Sequence, residues 1–336
     1  MATSVGSAAR LDERGFHRAA DEYRAELHAH CYRMLGSFHD AEDAFQDTLL
    51  RAWRAFPRFD GRSSLRTWLH TIATNVCLDA IARRPRRALP LDYGPPTAAG
   101  ADFGAPLVET IWVEPYPDDA LALGDDGLAP DARYEQREAV ELAFVAALQH
   151  LPGTQRAVLI LREVLGFSAR EVSETLETSV ASVNSTLQRA RASLGQKLPE
   201  RSQQETLRLL GDRRVKELVD AYVDAWMRKD VEALQSLLAA DAVFSMPPWS
   251  SWWRGRDDII ALLEATAGSC PESRALLTHA NGQPAIAYYA LDAERGRYVG
   301  TAIDVLTLDG DRISDITAFI APHLFPAFGL DAELTA

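Results

Sequence analysis

Residues 151–194, LPGTQRAVLILREVLGFSAREVSETLETSVASVNSTLQRARASL, decide how the chain is read. After Gly153, the apolar run Ala157, Val158, Leu159, Ile160, Leu161, Val164 and Leu165 predicts a buried helix stopped by Gly166. Ser168 with Glu171 three residues on is a capping box, whose hydroxyl and carboxylate satisfy orphan amides at a helix start. The helix it opens, Ala169 to Leu176, carries Val172 and Leu176 as its apolar stripe. Glu177, Thr178 and Ser179 form a turn, and Thr178 or Ser179 caps a last helix whose Val183, Leu187 and Ala190 face a core. Ser182, Asn184, Ser185, Gln188, Arg189 and Arg191 then fall on the outer face. Amides and hydroxyls there suit base edges, and arginines suit phosphates. Two short helices, a tight turn and a third helix are the layout of a helix-turn-helix that enters the DNA major groove. The same pattern also fits a three-helix bundle with a solvated polar face.

Composition points the other way. The 336 residues hold 48 acidic and 35 basic side chains, a formal charge of -13, which alone argues against nucleic acid. The DNA reading therefore rests on local order. One dense basic block exists, Arg83, Arg84, Arg86 and Arg87, at the end of LRTWLHTIATNVCLDAIARRPRR (65–87). Trp68, Ile72, Val76 and Leu78 are candidates for the buried side of that helix. Upstream, residues 16–36 predict one helix with Leu27, Cys31, Met34 and Leu35 on its apolar side. In DAEDAFQDTLLRAWRAF (40–56), Asp40 is the expected cap. Phe45, Leu49, Ala52, Trp53 and Phe56 face inward there, with Glu42, Asp43, Gln46, Asp47 and Arg51 outward.

Taken in this order, DAEDAFQDTLLRAW, FDGRSSLRTWLHTIATNVCLDAIARR, LPGTQRAVLILREVLGFSAREVSETL and VNSTLQRAR resemble the extracytoplasmic-function (group IV) sigma factors of the sigma-70 class. The resemblance covers residues 14–88, a sigma-2 domain, and 136–197, a sigma-4 helix-turn-helix domain. It implies a cytoplasmic alternative sigma factor, not an enzyme, that binds core RNA polymerase and directs promoter recognition and transcription initiation. It places Asp40, Glu42, Asp43, Gln46 and Asp47, with Leu50 and Trp53, on the clamp helices of the polymerase's largest subunit, and a second polymerase contact on the flap. Phe59, Arg62, Ser63, Asn75, Asp79, Arg83, Arg84, Arg86 and Arg87 are implied at the melted −10 element of promoter DNA. Aromatic rings and cations hold unstacked bases there, and Asn75 would bond a flipped one. Ser179, Ser182, Asn184, Ser185, Gln188, Arg189 and Arg191 are implied at the −35 element. Many relatives carry Lys and Arg where this chain has Asn184 and Thr186. Fewer cations release fewer counterions, so weaker −35 binding is expected.

Residues 89–135 are acidic and rich in Pro and Gly, without sustained periodicity, and are expected to be an interdomain linker. A solvated tether and a segment threaded into polymerase channels both fit. Ile111, Trp112, Val113 and Tyr116 suggest one docking point. Residues 205–330 begin with a long helix from Leu207 to Arg228, then a second capped by Asp230. The strand-like AVFSMPP (242–248), a Trp-rich loop, a helix from Asp257 to Ala267 and segments 285–292, 298–309 and 312–320 follow. Asp309-Gly310-Asp311 reads as a hairpin turn. This order resembles a SnoaL-like, nuclear-transport-factor-2-like α+β cone. The expected architecture is thus multidomain, two all-α domains followed by the cone.

Tyr222, Trp226, Phe244, Met246, Trp249, Trp252, Trp253 and Tyr288 are candidates for a pocket in the cone, with His279, Asp304 and Asp315 as its polar groups. No acid/base pair with diagnostic spacing appears, so a regulatory or ligand-sensing module is expected. The alternative is a small-molecule-processing cone tethered to a DNA-binding helical module. An anti-sigma protein or a small ligand is a further partner left open. No cofactor is implied, and Cys31, Cys77 and Cys270 lack metal spacing. Hydrophobic runs fall short of a membrane span.

Overall fold

Serines open five helices in the computed structural model, which describes residues 16, 20–98, 100–101, 103–107, 112–121, 135–266 and 271–335. Ser37, Ser64, Ser168, Ser179 and Ser202 each accept a hydrogen bond from the amide three residues on. The first helical unit is α1 (Arg24–Leu35), α2 (Phe38–Ala55) and α3 (Leu65–Arg83). Ser37 caps α2 in place of the expected Asp40, because it is the residue with extended backbone before the first turn. Asp40 lies inside the helix, and its carboxylate is free for other partners. Leu27, Cys31 and Met34 of α1 and Phe45 and Ala52 of α2 are buried as expected. On α3 the most buried row is Leu69, Ala73, Val76 and Cys77, while Trp68, Ile72 and Leu78 are half-buried.

The second unit is α4 (Leu142–Gln149), α5 (Gly153–Leu159), α6 (Ala169–Thr175) and α7 (Val180–Gly195). A π turn at Ile160–Val164 extends α5. The Ser168–Glu171 capping box closes from both sides, and Val183, Leu187 and Ala190 are buried. The two helical units pack directly on each other. Arg66 of α3 donates to the Leu165 carbonyl at 3.0 Å and lies 4.6 Å over the Phe167 ring. Thr67 donates to Glu171 at 3.2 Å. The described parts of the expected linker are seated on the fold. Val113 and Tyr116 are buried, and Ala88 forms a bridge with Trp112. Ile111 lies outside the described residues.

Gly211, at φ 78°, divides the expected 207–228 helix into α8 (Gln203–Leu210) and α9 (Asp212–Arg228). That backbone is cheap only for glycine. Asp230 caps α10 (Val231–Leu237) through the Ala233 amide. The rest is β1 (Leu238–Ser245), β2 (Trp252–Arg254), α11 (Arg256–Thr266), β3 (Ser273–Ala280), β4 (Gln283–Asp292), β5 (Arg297–Asp309), β6 (Arg312–Phe319) and β7 (Glu333–Thr335). Ala267 and Cys270 lie outside the described residues. The strand order is β2-β1-β6-β5-β4-β3 with β7 on β5, antiparallel except for β1 beside β6. Strand alternation divides the sheet's loyalties. Ala285, Ala287 and Tyr289 of β4 belong to the apolar core shared with the helical units. Ile286 and Tyr288 belong to a second core closed by α9, α10 and α11. Among the described residues no helix is long and apolar enough to cross a membrane.

Candidate nucleic-acid interface and the cone cavity

The outer face of α7 is open. Asn184, Ser185, Gln188, Arg189 and Arg191 are exposed, and Ser182 is half-buried. Ser179 spends its hydroxyl on the Ser182 amide at 3.1 Å, so its first role is capping. Arg191 pairs with Glu163 at 2.7 Å, and Arg189 donates to the Thr186 hydroxyl at 3.0 Å. Thr186 itself is buried. It is therefore no outer-face position, and the missing cation on that face is a matter of Asn184 alone.

The arginines after α3 are in a different state. Arg84 and Arg87 both donate to the Asp40 carboxylate. Burial would raise the pKa of Asp40, but the two guanidiniums outweigh it and hold the carboxyl below its ordinary value. Arg87 also donates to the Trp112 carbonyl, and Arg86 donates to His150 at 2.6 Å. Two sets of residues assigned to different partners, polymerase and DNA, thus hold one another. Arg83 and Asn75 are exposed. Asp79 pairs with Arg51 at 3.2 Å and Arg62 with Asp60 at 2.7 Å. Phe59 packs on Trp68 with ring centres 4.9 Å apart, and Ser63 is half-buried. Along α2, Asp43, Gln46, Asp47 and Leu50 are exposed, whereas Glu42 and Trp53 are half-buried. Glu42 lies 3.2 Å from His28, and Trp53 packs on Phe16 at 5.5 Å.

A residue pair that sequence reasoning passed over joins the cone to both helical units. Asn281 and Gly282 form the β3–β4 turn, both at positive φ, and Asn281 is fully buried. Its side-chain nitrogen donates to the Tyr32 hydroxyl at 2.8 Å and to the Val140 carbonyl at 2.7 Å. Its side-chain oxygen accepts from the Tyr116 amide at 2.9 Å, and its own amide donates to the Tyr116 carbonyl at 2.8 Å. The Gly282 amide donates to Asp118 at 2.7 Å, and Gln204 donates to the Gly282 carbonyl at 2.6 Å. Every polar group of Asn281 but its carbonyl is thereby engaged, to α1, to the 112–121 segment and to the chain before α4. Asn-Gly between strand patterns was the signal that could have found it. Nearby, His39 of α2, Glu114 and His323 bring one ligand atom each within 4.8 Å of one another, with both histidines exposed.

The cone holds a half-open cavity of about 590 Å³. Trp226, Phe244, Met246, Tyr288 and Asp304 line it as expected, and Phe103 joins them from the expected linker. Six expected residues do not, among them Trp252, whose indole donates to the Gly94 carbonyl at 3.0 Å. Tyr222 stands behind Asp304, its hydroxyl 3.5 Å from that carboxylate. Trp249 donates to the Gly104 carbonyl at 3.2 Å, and Trp253 is buried against Phe103 at 5.1 Å. His279 sits exposed on β3, because its strand register turns it to solvent. Burial pushes Asp304 up to about 7, against the Tyr222 hydroxyl, which lowers it. Burial does the same to Asp315, held at 2.8 Å by Thr317, which also lies outside the lining.

Known proteins repeat this organisation. The family model for sigma-70 region 2 matches residues 19–87, that for sigma-70 region 4 residues 141–194, and that for the SnoaL-like domain residues 219–316. The extracytoplasmic-function RNA polymerase sigma factor SigG of Mycobacterium tuberculosis is 42% identical over 99% of this chain and 89% of its own length. SigW of Bacillus subtilis, another such factor, is 29% identical over 56% of this chain and 90% of its own. The crystal structure of the Mycobacterium tuberculosis sigma factor SigJ superposes with a TM-score of 0.61 at 19% identity, covering 94% of this chain and all of that one.

Proposed function

Because the chain belongs to the extracytoplasmic-function RNA polymerase sigma factors, we propose that its own C-terminal cone controls when the DNA-reading arginines after α3 become available. As an alternative sigma factor the chain directs transcription initiation, and it is a transcription regulator, not an enzyme. Its partners are core RNA polymerase and promoter DNA, and its work would be in the cytoplasm. Residues 14–88 act on polymerase and the −10 element, 136–197 on the −35 element, and 205–330 as the regulatory cone. Residues 89–135 would serve as the connector between them. Asn75, Arg83, Arg84, Arg86 and Arg87 would meet the melted strand, and Asn184, Ser185, Gln188, Arg189 and Arg191 the −35 duplex. Asp43, Gln46, Asp47 and Leu50 would meet polymerase.

The carrying observation is the buried Asn281 turn, which bonds Tyr32, Tyr116 and Val140 at once. It supports a resting form in which the cone pins the helical units together while Asp40 occupies two DNA-binding arginines. Run-off transcription with core polymerase on a promoter library tests this. The full-length protein should give start-site-specific product, and Asn281→Ala should give more of it from the same starts. No specific product from either protein would remove the assignment of promoter-reading residues. Equal output from both would remove the controlling role of the cone.

A further inference from the structure

We propose that the cone cavity binds a neutral, mostly apolar, ring-bearing small molecule with one carbonyl or hydroxyl oxygen, and that its occupancy is passed to Arg87 through Phe103, Leu107 and Trp112. The second half rests on the regulatory reading above; the first does not. A volume of about 590 Å³ falls in the range of pockets that enclose small organic ligands. Trp226, Phe244 and Met246 give apolar walls. Tyr288 forms part of the cavity wall, and its buried hydroxyl makes no well-formed hydrogen bond among the described residues, with the neighbouring Tyr222 hydroxyl close enough to interact with it. An unpaired buried hydroxyl carries a desolvation cost until something bonds it. Asp304 lines the same space, and the Tyr222 hydroxyl donates to it at 3.5 Å. Burial raises its carboxyl to about 7, so near neutral pH much of it can donate. Tyr288 and Asp304 together suit an uncharged oxygen. The other charged residues lining the cavity, Lys229 and Glu272, have opposite signs, and Glu272 already accepts from Tyr298. A charged ligand would lose its hydration there without a net countercharge.

The coupling follows a continuous line of contacts. Phe103 forms part of the cavity wall, and its carbonyl accepts from Ser251 at 2.7 Å. Four residues on, the Leu107 amide donates to the Pro248 carbonyl at 2.8 Å. The Leu107 carbonyl accepts from the Trp112 indole at 3.1 Å. The Trp112 carbonyl accepts from Arg87, one of the two arginines on Asp40. A molecule that displaces the Phe103 ring therefore pulls on the chain that holds Arg87. The differential contact with Phe103 in its two positions is what would shift the equilibrium.

Titration calorimetry on the full-length protein without polymerase tests the site. The probes are 2-acetylnaphthalene and its charged counterpart 2-naphthoate. The ketone should bind with a Kd on the order of 10–100 μM, and the carboxylate at least about tenfold more weakly. Tyr288→Phe, which keeps the ring, should weaken the ketone about five- to tenfold. Ala302→Trp, which fills the cavity, should abolish binding while circular dichroism stays unchanged. No ketone binding at millimolar concentration, equal binding of both probes, or an unchanged Kd in Tyr288→Phe would overturn the site. For the coupling, saturating ketone should speed hydrogen exchange at the Thr97 and Leu107 amides, both bonded to the cone. Unchanged exchange with the ketone bound would overturn the coupling. The binding measurement contains no polymerase, so its failure leaves the sigma-factor reading intact. Failure of the Asn281→Ala transcription test leaves the site itself standing.

Discussion

The outer face of α7 and the arginine block after α3 carry the same kind of chemistry, arginines beside small polar residues. Their states in the folded chain differ. On α7, Asn184, Ser185 and Gln188 face water, and Arg191 is tied only to Glu163 on the surface. After α3, Arg84 and Arg87 close on Asp40, and Arg87 is only 11% exposed. A surface ion pair such as that of Arg191 is worth little and opens readily. A shielded pair with two guanidiniums on one carboxylate is harder to part. One reading surface is thus ready, and the other has to be released. That asymmetry is what a controlling domain can act on.

The comparison breaks most sharply at the cone's turn. A Cβ at Gly282 would meet the Gln204 side chain at 2.8 Å and Arg137 at 3.3 Å, on a backbone at φ +70°. Gly282→Val should therefore cost about 2–4 kcal/mol of the packed arrangement through left-handed strain and overpacking. Hydrogen exchange should accelerate at Asn281, whose amide is bonded to Tyr116, and not along α7. Equal acceleration in both places would mean general unfolding, and the asymmetry would be lost. Asp40→Asn acts more locally. With the carboxylate gone, single-stranded −10 DNA should bind about three- to tenfold better at low salt. The log–log salt slope should steepen by roughly 1.4 if both arginines reach phosphates. A slope equal to the parent's would show that these arginines do not.

The features legible in the sequence were those whose cause is local. The Ser168–Glu171 box and the Val183, Leu187, Ala190 row depend on neighbours three or four residues away, and both stand in the structure. The cone was legible as an order of elements, but its wall was not. Trp249 and Trp253 looked like pocket residues because they are large and apolar, yet they spend themselves on Gly104 and Phe103. Residues 89–135 looked like a tether because their bonds go to distant partners, such as Thr97 to Trp252 and Tyr116 to Asn281. Asp40 was read as a cap, and its pairing with Arg84 and Arg87 was missed because those arginines are far away in sequence. The turn at Asn281 was obscured because β3 has Leu276 and Leu277 exposed together, which blurs the alternation that marks a strand.

Acidity sharpens the contrast in a smaller way. Glu141, 5% exposed, accepts from the Gln204 amide at 2.6 Å, where the cone meets the helical units. Burial raises its carboxyl to about 7, against the Gln204 and Gln203 amides, which lower it, and Glu138 adds to the rise. A raised acid pKa means that the folded form holds the proton more tightly than the unfolded form. The associated stability is fully present below the ordinary glutamate value and is lost as pH rises through about 7. Glu141→Gln should remove its share of that slope, on the order of 1–3 kcal/mol between pH 5 and 8. Asp304 and Asp315 titrate in the same sense within the cone, so part of the slope should survive. Melting temperatures across this range decide it: parallel curves for parent and variant would remove Glu141 from the account.

The smallest effect belongs to the surface that is already open. Asn184 is exposed on α7, and replacing it by lysine adds one cation without disturbing the core. Asn184→Lys should tighten binding of −35 duplex by the holoenzyme a few-fold at low salt, and steepen the salt slope by about 0.9 if the lysine meets a phosphate. Thr186→Arg is the instructive counterpart. Thr186 is 7% exposed and already bonds Arg189, so a guanidinium there must either distort α7 or bury a charge. It should lower stability and leave the slope unsteepened. If instead both variants strengthened DNA binding alike, α7 would turn a different side to the duplex. The burial of Thr186 would then hold only for the packed form, and α7 too would need release before it reads DNA.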